Sequence, residues 1–212
     1  MVKLKVFTYQ KTERVFEVRW LRKLREDAPV GVVTVTVPEG LETGPAYQIA
    51  ELEALRYLFE DKNACGTSPT GWGVVIVSFN RHLVENMNNM AGKGAKLPFM
   101  AYMKSRYFHA MYEHDASVIS FMDREIESTD EITITDHPML IVQSPKYGPI
   151  ELTFNAVLRY NLHFAYGDVC KAPYKSVTKA LIAEDLRDVD IYDGFHFKKI
   201  YMTLEECQLE YD

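Results

Sequence analysis

An α/β fold is what this sequence predicts, and three observations predict it. Three alternating, β-branched segments precede Pro38. The apolar period switches to that of a helix at Ala46. A short, continuously apolar run at Val74–Phe79 then leads directly into a second helical stretch.

Each element has its own justification. In Lys3–Tyr9, Leu4, Val6 and Thr8 share one face while Lys5, Phe7 and Tyr9 share the other. Val15–Leu21 alternates again, with Phe16, Val18 and Trp20 opposite Glu17 and Arg19. Gly31–Val37 is a β-branched strand closed by Pro38 and Gly40. Short separations make these three an antiparallel meander. From Ala46 to Lys62, Ile49, Leu52, Leu55 and Phe59 recur at helical spacing, Leu58 widens the stripe, and Pro45 suits a first turn. Val74–Phe79 is expected to be a strand buried on both faces. Arg81–Met90 and Pro98–Glu113 are expected helices, separated by Gly92 and Gly94, and Ser117–Met122 is an expected fifth strand.

The remainder is less regular. Strands are expected at Glu131–Thr135, Met139–Gln143 and Phe195–Met202, and a helix at Tyr174–Arg187; periodicity leaves Glu151–Phe164 open between strand and helix. The acidic stretch Asp123–Glu131 is the expected boundary between a core, residues 1–125, and a C-terminal α+β extension, residues 126–212, packed on it.

Composition bounds the function classes. The formal net charge of −6 argues against broad binding to nucleic acid, which normally needs a basic face. Cys65, Cys170 and Cys207 are widely spaced with no CxxC pair, as for reduced thiols in a cytoplasmic, reducing compartment. There is no apolar run of about 18 residues for a membrane span, so no membrane partner is expected. The six histidines show no HxH or HExxH spacing, and no phosphate-binding glycine motif occurs; no metal and no cofactor is expected.

Certain residues resemble a known family. Phe7-Thr8-Tyr9 resembles the end of the first strand of the RNase H-like superfamily, where a sequence like FTDG carries the first catalytic Asp. Ala50-Glu51-Leu52-Glu53-Ala54-Leu55 resembles the helix with that family's catalytic Glu. Val75-Ile76-Val77-Ser78-Phe79-Asn80, running into Arg81-His82-Leu83-Val84, resembles its fourth strand and exit, a T-D-S-x-x-V type pattern. The resemblance covers about the first 125 residues and implies an RNase H-like mixed sheet with flanking helices. It also implies two divalent ions held between carboxylates, which stabilise the attacking and leaving oxygens of phosphodiester cleavage.

The matched positions depart from that pattern. Tyr9 and Phe79 replace acidic positions, and of the family's carboxylates only Glu51 remains. Phe79 is expected to pack into the former metal cavity, and Glu51 to be a solvated flank of its helix. The expectation is a pseudo-nuclease: a non-catalytic binding or adaptor protein, in the style of a phage or mobile-element host-takeover or protein-sorting factor. Two alternatives stand beside it: an active metal-dependent nuclease with relocated carboxylates (Asp115, Asp123, Glu184 and Asp185 are the candidates), and a structural subunit of a larger assembly. A protein partner is favoured over nucleic acid. The expected binding surface is the aromatic helix with its basic flank: Phe99, Tyr102, Tyr107 and Phe108 with Lys93, Lys96 and Lys104.

Overall fold

Nine residues from Val2 to Gln10 form β1, and β2 (Val15–Leu21) and β3 (Val30–Thr36) return beside it as an antiparallel meander, with Val6 opposite Trp20 and Val18 opposite Val33. This computed structural model describes residues 1–22, 28–41, 45–66, 71–89, 98–144, 148–151, 197–200 and 209–211. Helix α1 (Ala46–Glu60) follows, then β4 (Val74–Ser78), α2 (Arg81–Asn88), α3 (Pro98–Arg106) and β5 (Met111–His114). β4 lies parallel to β1, and β5 parallel to β4. A 3-10 helix (Ala116–Asp123) leads into β6 (Ile126–Thr133), which lies parallel to β3. The result is a mixed six-stranded sheet in the order β5-β4-β1-β2-β3-β6, so the α/β class is as expected. Two antiparallel pairs complete the described strands: β7 (Ile141–Ser144) with β8 (Gly148–Glu151), and β9 (Phe197–Ile200) with β10 (Leu209–Tyr211).

Strand alternation decides what each face of the sheet covers. Leu4, Val6, Phe16, Val18, Val33, Val35, Val74 and Ile76 face α1 and form the larger core with its Ile49, Leu52, Leu55 and Leu58. Phe7, Leu21, Val30, Val75 and Val77 face the other way and meet Val118 and Phe121 of the 3-10 helix.

Helix α3 packs on the outer side of α1. Phe99, Met100 and Met103 are buried there, while the Tyr102 and Tyr107 hydroxyls donate to Glu60 at 2.6 and 2.9 Å. Arg56 bridges Glu53 and Glu60 along the same seam.

Three sequence expectations change. The expected helix Pro98–Glu113 ends at Arg106, because Met111–His114 is strand β5. Ser117–Met122 is no strand but most of the 3-10 helix, whose buried Val118 and Phe121 lie three residues apart, as a three-residue turn requires. Within the acidic stretch, the residues from Ile126 onward build β6, and Lys62 pairs with Asp130 to fix that strand against the core. The expected strand at Glu131–Thr135 is the end of that longer one. The expected helix Tyr174–Arg187 and all but Glu151 of the ambiguous Glu151–Phe164 lie outside the described residues.

Candidate functional site

The site lies where the chain parts company with itself. β1 and β4 are parallel neighbours; from β1 the chain turns toward β2, and from β4 it leaves through α2 toward β5. In open α/β sheets such a divergence leaves a crevice beyond the carboxyl ends of the strands. Here that crevice is a cavity of about 400 Å³ lined by Thr8, Tyr9 and Gln10 of β1, Tyr47 and Glu51 of α1, and the segment Phe79–His82.

Glu51 is its floor. The α1-facing positions of β1 and β4 end in Thr8 and Ser78, so two hydroxyls meet the helix where Leu4, Val6, Val74 and Ile76 had supplied apolar contact. Thr8 Oγ1 donates to Glu51 Oε2 at 2.7 Å, and Ser78 Oγ donates to Glu51 Oε1 at 2.5 Å. The Ser78 oxygen in turn accepts the Asn80 amide N–H at 2.8 Å. Glu51 is fully buried, and this burial pushes its carboxyl up to about 7, the Ser78 and Thr8 hydrogen bonds pulling against it. Each carboxylate oxygen thus has one hydroxyl donor, and no cation stands beside it among the described partners.

The expectations for this site need three corrections. Glu51 is not a solvated flank but the most enclosed charged side chain of α1. The residues beside it are Thr8 and Ser78, not Tyr9 and Phe79, which stand one position further along each strand. Phe79 does not fill a cavity: it is 39% exposed on the wall, edge-on to Phe7 at 5.3 Å between ring centroids. Tyr9 turns to the opposite face of the sheet, where its hydroxyl donates to Glu17 and Arg19 lies over its ring. Alternation alone carried the signal for Thr8, since it shares a face with Leu4 and Val6.

The two-ion centre that the resemblance implies does not fit these residues. Hard divalent cations take several oxygens, with carboxylates supplying the charge. The cavity offers a single carboxylate, and its oxygens are engaged by hydroxyl donors. Among the described residues there is no group of three His, Cys, Asp or Glu side chains that could hold a metal ion. Asp115 caps the 3-10 helix through the Ser117 N–H at 2.9 Å, and Asp123 is exposed at that helix's end. Glu184 and Asp185 lie outside the described residues. Ser78 is fully buried, so its hydroxyl reaches no substrate.

The aromatic and basic residues expected to bind a partner are largely internal. Phe99 and Tyr107 are buried, Tyr102 and Phe108 half-buried, and Lys104 is buried with its ammonium donating to the Asn89 carbonyl at 2.8 Å. Burial holds the Lys104 amine below the usual lysine range. Lys93 and Lys96 lie outside the described residues. The surplus of aromatics on this segment is therefore consumed by packing α3 on α1, not by a surface.

At the rim of the cavity, Asn80 caps α2 by accepting the Leu83 N–H at 3.1 Å. Its Nδ2 is buried with no hydrogen-bond partner among the described residues. Arg81 and His82 are exposed in the first turn of α2; Arg81 Nε donates to Glu85 at 2.8 Å, and His82 lies 3.8 Å from the same carboxylate. Among the described residues no helix is long and apolar enough to cross a membrane. Comparison of the chain with protein-family models, with curated proteins and with solved structures finds no match.

Proposed function

We propose that this chain is a catalytically degenerate RNase H-like protein that serves as a binding module for a protein partner. One observation carries the reading: a lone, buried Glu51 is held by the hydroxyls of Thr8 and Ser78 at the two strand ends. In the family that the chain resembles, those strand ends present acids to metal ions. Here they present hydroxyls that donate to Glu51, a role no metal-ligating aspartate can play. The strand run β3-β2-β1-β4-β5, with the first three antiparallel and the last two parallel to β1, supports the same kinship. An acidic chain with an open, ring-walled cavity suits a protein ligand better than nucleic acid.

The test is cleavage of DNA, RNA and hybrid substrates in Mg²⁺ or Mn²⁺, together with metal binding. The parent should cleave none of them and show no Mg²⁺-dependent rise in melting temperature. The double variant Thr8→Asp, Ser78→Asp should melt lower without metal, because three carboxylates then crowd one site, and should recover when Mg²⁺ binds the folded state. Metal-dependent cleavage by the parent that disappears in Glu51→Gln would overturn the reading in favour of a nuclease with relocated carboxylates.

A further inference from the structure

The cavity above Glu51 has the features of a side-chain receptor. At about 400 Å³ it falls in the size range of ligand pockets, about 300–1,000 Å³. Its walls include two rings, Tyr47 and Phe79, each 39% exposed. Its floor is closed to new polar partners, because Glu51 is fully buried beneath Thr8 and Ser78.

Charge at the rim narrows the occupant further. Apart from the enclosed Glu51 and from Tyr9, whose hydroxyl is turned to Glu17, the ionisable groups lining the cavity are Tyr47, Arg81 and His82, and the first turn of α2 adds its positive dipole end. Arg81 is paired with Glu85 one turn along the same helix, an exposed and easily exchanged contact. An incoming carboxylate can therefore take Arg81 without leaving a buried charge behind.

We infer that this cavity seats an aromatic side chain of a partner protein, presented by an acidic segment whose carboxylate meets Arg81. This rests on the binding-module reading above and names the site and the partner chemistry. It also relocates the interface from α3 to the ends of β1 and β4.

The experiment titrates the full chain with fluorescein-labelled Glu-Glu-Phe-Glu-Glu, with the same peptide carrying Ala at its centre, and with a single-stranded DNA oligonucleotide. The Phe peptide should bind at least ~10-fold more tightly than the Ala peptide. Tyr47→Ala and Arg81→Glu, both surface changes that spare the core, should each weaken it ~10-fold while leaving the melting temperature near that of the parent. Equal or undetectable binding of the two peptides overturns the inference. So does salt-sensitive binding of the oligonucleotide alone, which would make the cavity a nucleic-acid site. Immobilised full chain separates the two levels: native-cell partners retained by both variants sink this pocket and leave the binding-module reading intact, whereas no protein recovered by the parent sinks both.

Discussion

Burial of Glu51 makes one proton part of the fold. An unfolded glutamate titrates near 4.5, and the folded carboxyl near 7. Between those values the folded chain keeps a proton that the unfolded chain has released. This group's contribution to stability therefore falls as pH rises through that window, by about 1.4 kcal/mol per pH unit, and is constant above it. Glu17 works in the opposite sense: it is partly desolvated, but hydrogen bonds from Lys11 and Tyr9 outweigh that and hold its carboxyl below the usual range. The clean measurement is thus a difference between variants. Urea unfolding of parent and Glu51→Gln at pH 5 and pH 8 should show the variant gaining relative stability at the higher pH. Parallel behaviour of the two proteins would mean that the carboxyl is ionised and solvated in the fold. At this scale Thr8 was legible from alternation, whereas matching by motif slid the site one residue, to Tyr9 and Phe79. The burial of Glu51 was not legible, since it depends on two hydroxyls from strands distant in sequence.

Among the elements, the meander was the most legible, because β-branched alternation and short turns are local signals. One contact inside it was invisible beforehand. Gly31 sits opposite Trp20, and a Cβ there would lie 2.4 Å from the indole Cε2 and Nε1. The strand takes glycine so that the flat ring can lie across its backbone. Gly31→Ala should cost about 1–3 kcal/mol by overpacking and alter the Trp20 fluorescence, best read with Trp72 replaced by Phe. An unchanged denaturation midpoint and spectrum would place the ring elsewhere. Helix α3 shows the opposite failure of legibility. Its aromatic and Met side chains are too many for one face, and the excess looked like surface. Yet Tyr102 and Tyr107 carry hydroxyls that reach Glu60, which lets polar-tipped rings fill a helix–helix seam.

At the scale of the whole molecule, the meander and β4 could be anticipated, whereas β5, expected as the end of a helix, and β6 could not. β6 is acidic and exposed at alternate positions, so nothing in its own residues names β3 as its neighbour. Its backbone nevertheless covers β3, whose Val30, Val32, Val33 and Val35 are all buried. A chain ending at residue 125 should therefore be less stable and more prone to associate than one ending at residue 144, since an apolar strand edge templates pairing with other chains. Size-exclusion chromatography and thermal melts of the two would decide it; equal monomer content and melting temperature would make β6 dispensable. The same pairing also sets a clock on synthesis. Val30 leaves the ribosome long before its partner Ile126, and at about 5–20 residues per second the interval is on the order of 10 s. Throughout that time the meander is a finished hairpin stack with an uncapped flank, the period in which a nascent chain of this design most needs a chaperone or a slow neighbour.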